Sequence, residues 1–484
     1  MMIYGSEEMI SRLLSMRETD IHIHEVLNNC EYLSDIQTLR GSNLNGEILV
    51  LDPSDTEILK FLFQNHYTEV CFPVCGTILS VWDPDSEHIL NKKLKNCTNW
   101  RWHKEANRFR MLQGYLLRNP VTRSLPIHIQ LEHTSYCNAR CIMCGHAIYG
   151  NTGAMHISER MIERMQSLLP SCEVMILHGY GEPLMTRGLE DLLEIYRKYE
   201  IEVTTNSNLS YLPDDLLKQL IPVMEHLHIS CDGVTKEVYE GIRPGLNFDT
   251  FLKNLEKLRT QAPDMDLTME AVIMRQNVEQ LPQMVQFAHD WGCSQISLNR
   301  LGSHPVLNND RDCLHHYPNL TSVYLRQAAE LGERLGISVC YPREWLLDEP
   351  SPEAAQQERI RAGQLPFQAE PLFVPQEQRR MVYNAVPLFA DDPELRSGIY
   401  TCDGMCDSLL GRTNIDLQGN IYVCCMNTMK KTGNLFELAD DELYNTPAQV
   451  KMREMFYAGE VPAYCDRCSY VMNRTLALAS VKQK

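Results

Sequence analysis

From Leu125 to Leu301 the chain alternates between two hydrophobic periods. PIHIQLEHT, EVMILHG, IEVTTNS, HLHISCDG, LTMEAVIM and QISLNRL are short, rich in β-branched residues and bounded by polar turns, so they read as strands. Between them, SERMIERMQSLL, LEDLLEIYRKY, PDDLLKQLIPVM, FDTFLKNLEKLR and LPQMVQFAHDWG repeat apolar residues at helical intervals. Strands and helices in alternation predict a parallel sheet with right-handed crossovers. Six such units predict an α/β fold built on a partial (β/α)6 parallel barrel over 125–305. Polar residues follow each strand, where parallel barrels build their active sites.

The flanking segments have other patterns. Residues 1–112 read as a separate N-terminal α/β domain, with strands at GEILVLDP and TEVCFPVCG. TEILKFLFQNH is a helix with Ser54 and Asp55 as candidate caps. Residues 306–395 hold one helix (VYLRQAAELGERLG), one short strand (ISVCYP) and then a Pro-rich connector. Residues 396–484 form a small cysteine-rich module.

Net charge is −18, which disfavours general attraction to nucleic acid or an anionic membrane. The basic stretch 101–123 reads as a solvated amphipathic connector. No apolar run approaches the roughly 18 residues of a membrane span. The first residues lack the basic start and apolar stretch of a secretory signal. A cytoplasmic location is therefore expected. There, 18 cysteines point to metal or redox work rather than disulfides. Cys71 and Cys75 lie among Val and Phe and read as core thiols.

SYCNARCIMCG places Cys137, Cys141 and Cys144 in one loop, spaced C-x3-C-x2-C. Three thiolates can serve a zinc ion if His133 or His146 completes the set. They can also hold a 4Fe–4S cluster with one iron open to another ligand. The surrounding motifs are HGYGEP after the second strand, TTN after the third and SCDG after the fourth. Together with the cysteine loop, they resemble the radical S-adenosylmethionine (radical SAM) superfamily over 125–305. The resemblance implies that the three cysteines hold a cluster whose fourth iron binds S-adenosylmethionine. It further implies reductive cleavage to a 5′-deoxyadenosyl radical that abstracts hydrogen from a C–H bond. Gly179, Tyr180, Gly181, Glu182 and Pro183 would form the turn near the methionine amino group, although Tyr180 stands where a second Gly is commoner. Asn206 and Ser230 would face the ligand, with Asp232 and Arg243 as further cofactor contacts. Cys231 is a candidate hydrogen donor. However, strand alternation turns it away from the face of Ser230, which favours a core thiol.

TCDGMCDSLLGRTNIDLQGNIYVCC and the later YCDRC resemble the SPASM module appended to many radical SAM enzymes. TNIDLQGNIYVC reads as a hairpin that brings Cys424 beside the loop of Cys406. The resemblance implies that Cys406, Cys424, Cys465 and Cys468 hold one auxiliary 4Fe–4S cluster for electron transfer. Cys402 or Cys425 is an alternative ligand. No cysteine follows Cys468, so one auxiliary cluster is expected rather than two.

The expected activity is hydrogen abstraction from a natural-product-type substrate, either a small polyol or sugar or a peptide residue. The electron donor would be a flavodoxin or ferredoxin. A peptide maturase that forms a cross-link or an epimer is the alternative within this chemistry. A zinc-stabilised binding protein is the alternative outside it.

Overall fold

The computed structural model describes residues 2–4, 31–33, 48–52, 56–65, 67, 69–149, 151, 153–303, 307–368, 386–387, 397–401, 406–424 and 430–462. The expected helix caps Ser54 and Asp55 lie outside these, as do Cys402, Cys425, Cys465 and Cys468.

The N-terminal sheet comprises β1 (Met2–Tyr4), β2 (Glu31–Leu33), β3 (Ile48–Val50), β4 (Val70–Val74) and β5 (Thr77–Ser80), in the order β2-β1-β3-β4-β5. The first four are parallel and β5 closes an antiparallel hairpin. Cys75 and Gly76 form its turn, both at positive φ (50° and 69°), as a tight hairpin requires. Cys75 thus stands in a turn rather than in the strand run 68–76. Its thiol is buried and donates to the Trp102 carbonyl at 3.2 Å. Helices Thr56–Gln64 and Trp100–Leu116 bury Leu59, Leu62, Phe109 and Leu112 against this sheet.

The α/β run follows with β6 (His128–Leu131), β7 (Val174–Ile176), β8 (Glu202–Thr204), β9 (Asn206–Ser207), β10 (His226–Ser230), β11 (Asp266–Ile273), β12 (Gln295–Arg300) and β13 (Ser338–Cys340). Every pairing among them is parallel. The ladder breaks at Thr205, between β8 and β9, although the Thr205 carbonyl still accepts from His228 N at 3.0 Å. The strands therefore fall into two sheets, and no closed barrel forms among the described residues. The parallel pairing continues past residue 305, because β13 joins β12.

The remaining strands are β14 (Val386–Pro387), β15 (Ser397–Thr401), β16 (Arg412–Ile415), β17 (Asn420–Tyr422), β18 (Lys430–Asn434) and β19 (Glu460–Pro462). β16 and β17 form the expected antiparallel hairpin, with Gly419 at φ 79° in its turn. What the sequence did not indicate is its partner. β16 pairs in parallel with β6, so the mixed sheet runs β14-β18-β17-β16-β6-β7-β8. Helix Pro447–Tyr457 then buries Met452 and Phe456 in the same apolar cluster as Phe109 and Leu112. Arg453 fastens this packing: it is fully buried and donates to the carbonyls of Pro120 (2.6 Å) and Tyr444 (2.7 Å).

Candidate active site

The cysteine loop leaves the C-terminal end of β6 and is closed by contacts to two later segments. Ile142 N donates to Ile242 O, and Arg140 N to Pro244 O at 2.7 Å. Glu182 N donates to Tyr136 O at 2.7 Å, which ties the GYGEP turn to the loop. Gly181 permits that approach. A Cβ there would lie 2.3 Å from Thr134 O and 2.7 Å from Tyr136 O, contacts no side chain tolerates.

Cys137, Cys141 and Cys144 lie near one another in this loop, each half-buried. Burial pushes the Cys137 thiol up to about 11 and the Cys141 thiol up to about 12, and raises Cys144 as well. Alone they would be thiols at neutral pH. The surroundings nevertheless supply donors suited to thiolate sulfur. Ala139 N reaches Cys137 Sγ at 3.4 Å, His146 N reaches Cys144 Sγ at 3.4 Å, and Arg243 Nη1 lies 3.9 Å from Cys141 Sγ. Thiolate ligands, N–H donors and one nearby cation suit an anionic iron–sulfur cluster. The nearby histidines are already engaged. His133 is fully buried, bonded to Leu131 O (2.7 Å) and to the Tyr196 hydroxyl (2.6 Å). The His146 ring lies against the Cys137 backbone and Asn151.

The other expected residues divide by role. The Glu182 carboxylate is buried and fully occupied, accepting from Ser207 Oγ (2.6 Å), Asn208 N (2.8 Å) and Leu184 N (3.3 Å). It holds the third-strand loop against the GYGEP turn. Pro183 is buried and opens the short helix Pro183–Met185 that Glu182 caps. The Tyr180 ring is exposed, while its amide donates to Glu132 Oε1 at 2.9 Å. Gly179 packs on the same Glu132 side chain, 2.4 Å from where a Cβ would sit. Asp232 and Arg243 form an ion pair at 2.6 Å, almost entirely buried, which carries the guanidinium to Cys141. Asn206 and Ser230 lie half-buried on one face of their strands. Cys231 points to the other face, fully buried in the apolar core, and donates to Gly233 O at 3.2 Å.

Three contributors were not anticipated. Asn208 lies 4.0 Å from Cys137 Sγ and bonds Asn138 Oδ1 at 3.1 Å. Ser207 bridges to Glu182. Glu132, held near pH 7 by burial, links the GYGEP turn to the C-terminal hairpin. Their only signal was position: NSN continues the TTN strand end, and Glu132 directly follows β6. In the C-terminal region, Cys406 and Cys424 are half-buried against the cluster that holds Phe109 and Phe456.

Comparison with known proteins bears on this geometry. Residues 131–288 match the model of the Radical SAM superfamily. The mycofactocin maturase MftC of Mycolicibacterium smegmatis is 25% identical over 181 residues, 36% of this chain and 45% of that protein. The PqqA peptide cyclase of Bradyrhizobium diazoefficiens is 24% identical over 180 residues, 37% and 47% of the two chains. The chain thus spans about half the length of these curated relatives. Among solved structures, Streptococcus suis SuiB bound to S-adenosylmethionine aligns over 77% of this chain and 79% of its own, at 14% identity and a TM-score of 0.47. The family implies a 4Fe–4S cluster and S-adenosylmethionine. The matched span contains Cys137, Cys141, Cys144, Glu182 and Arg243, and this chain therefore carries a radical SAM domain over residues 131–288.

Proposed function

We propose that this chain is a radical SAM enzyme that abstracts hydrogen from a C–H bond of a peptide residue. The observation that carries the reading is the grouping of three half-buried thiols with Arg243, Asn208 and the Glu182-braced turn inside the matched span. A peptide substrate is favoured over a polyol or sugar because MftC is named a maturase and the PqqA enzyme a peptide cyclase. Cys137, Cys141 and Cys144 would hold the cluster. When bound, the cluster and S-adenosylmethionine supply one-electron cleavage of the C5′–S bond and a hydrogen-abstracting carbon radical. The protein's part is positioning and shielding. Arg243, oriented by its ion pair with Asp232, directs an N–H at Cys141 Sγ. Gly181 lets the turn close on the loop, and Glu182 fixes the strand ends around it. Ser230 and Asn206 share the half-buried face that would line the cavity of a partial (β/α)6 barrel.

Cys406, Cys424, Cys465 and Cys468 would hold an auxiliary cluster that passes an electron, with a flavodoxin or ferredoxin as external donor. The half-buried positions of Cys406 and Cys424 on one core support this. A zinc scaffold is disfavoured by the family match and by the occupied ring of His133. The test is anaerobic reconstitution followed by assay for 5′-deoxyadenosine, with Cys137, Cys141 and Cys144 each changed to Ala. Each change should abolish the reducible cluster and the product. Wild-type-like cleavage in any one of them refutes the reading. Co-expression with neighbouring peptide genes and product mass then identifies the modified residue.

A further inference from the structure

The parallel strands are unlike those of a filled α/β core. Strands buried on both faces read as near-continuous apolar runs. Here β6 reads H-I-Q-L, β8 reads E-V-T and β10 reads H-L-H-I-S, with only the apolar member of each pair fully buried. The register aligns the polar members. Arg412 lies beside His128, Asn414 beside Gln130, Ile176 beside Thr204, and Ser230 beside Glu270. One face is therefore polar on β16, β6, β8, β10 and β11, interrupted at β7 by Val174 and Ile176.

Within that face, several groups lack partners. His178 Nδ1, Thr204 Oγ1 and Arg412 Nε are all buried and unbonded among the described residues. The Arg412 guanidinium bonds the Gln130 side-chain oxygen, and the Gln130 amide in turn donates to His178 O at 3.3 Å. Glu270 is no counter-ion for Arg412, since its oxygens are held by His228 at 2.9 Å and by Asn299. Of the other interior arginines, Arg243 meets Asp232 and Arg275 meets Asp312 at 2.8 Å, while Arg453 is saturated by carbonyls and the Asn445 side chain. Among the described residues Arg412 has no carboxylate within ion-pair distance. Arg412 is half-buried, and among the described residues Gln130 is its one side-chain acceptor, so its guanidinium is open to an anionic partner.

We propose that Arg412, with His178, forms a subsite for a carboxylate on the substrate, placed on the polar face by the C-terminal strand that pairs with β6. Arg412 is the recognition residue, because its planar fork matches a carboxylate. His178 faces Arg412 and His228, and burial with those neighbours lowers it to about 4. It is therefore neutral at pH 7 and serves as a hydrogen-bond donor without a second charge. The proposal rests on the peptide-modifying reading above and deepens it: the peptide would carry an acidic side chain or a free chain end near the reacting residue. Because Arg412 comes from β16, the C-terminal segment contributes a wall of the substrate site as well as cysteines.

The test uses the reconstituted full chain with S-adenosylmethionine and ligand-observed NMR. The probes are N-acetylglutamate α-amide, N-acetylglycine, N-acetylglutamine α-amide and inorganic phosphate. The expected result is at least tenfold tighter binding of a carboxylate probe than of the glutamine isostere. Glutamate-amide ahead of acetylglycine assigns a side chain, and the reverse assigns a chain end. The selectivity should vanish in Arg412→Gln, survive in part in Arg412→Lys, and weaken in His178→Asn if Arg412→Gln fails to fold. Equal binding of acid and isostere, selectivity retained without the guanidinium, or phosphate outcompeting both carboxylates would overturn the proposal. So would a tenfold loss of S-adenosylmethionine affinity in Arg412→Gln, which would assign the guanidinium to the cofactor's own carboxylate. Cleavage of S-adenosylmethionine by the wild-type chain is read separately, so failure of the radical chemistry and failure of the subsite are distinguishable.

Discussion

Glu132 offers a quantitative test of how the C-terminal hairpin is joined to the active-site turn. Its carboxyl is buried, accepts from the amides of Tyr180 and Leu417, and faces Asp416. Burial is the main cause that raises it from 4.5 to about 7, with Asp416 adding to the rise against the two amides. A carboxyl raised on folding favours the protonated form. Its contribution is complete below the unfolded value and is lost as pH rises through about 7. With about 1.4 kcal/mol per pKa unit, ionisation should cost the folded state about 2.5 kcal/mol between pH 5 and pH 8.5. Glu132→Gln removes that ionisation but keeps one acceptor oxygen. At pH 5 the variant should be less stable than the native chain by about 1 kcal/mol, for one lost hydrogen bond. At pH 8.5 the order should reverse, the variant being more stable by roughly 1–2 kcal/mol. Urea midpoints across this range provide the measurement. Infrared difference spectra of the two proteins should show a protonated carboxyl band at pH 5.5 that fades near pH 7. A stability difference independent of pH, or no such band, would mean that Glu132 is ionised throughout and the interface is wetter than its burial indicates.

Further expectations follow from close contacts and buried charge. Gly181→Ala places a methyl 2.3 Å from Thr134 O, so the turn must shift; S-adenosylmethionine affinity should fall at least tenfold by equilibrium dialysis, while unchanged affinity would free this turn from the site. Arg243→Gln leaves Asp232 buried without its cation and should cost about 3–5 kcal/mol and deplete iron; the double variant with Asp232→Asn should recover part of the stability but not the iron. Reconstituted protein should hold about eight irons per chain from two four-iron clusters; about four irons with one zinc would make the C-terminal site structural. Loss of both Cys465 and Cys468 should leave uncoupled 5′-deoxyadenosine formation in place and stop substrate turnover, and normal turnover would remove the auxiliary site from the electron path.

Much of the α/β region was legible in the chain because its information is local. Alternating periods marked the strands and helices, and the C-x3-C-x2-C spacing with GYGEP and TTN marked the loop that gathers the thiols. The side of the strand on which Cys231 falls followed from alternation alone. Even the β16–β17 hairpin was readable, since QGN supplies the positive-φ glycine its turn needs. Long-range pairing was not readable. Nothing near Arg412 indicates that its strand will lie beside β6, residues apart by most of the chain, because backbone ladders carry no sequence label. The same holds for burial that depends on several segments at once. Glu132 reads as an ordinary strand-end acid until the 416–419 turn covers it, and nothing in GYGEP announces that Ser207 and Asn208 will bond the Glu182 carboxylate. Local pattern names the residues that could do the chemistry and where each element forms. Which of them remain free to act depends on long-range packing, because hydrogen-bond saturation and desolvation are set by partners that arrive from distant parts of the chain.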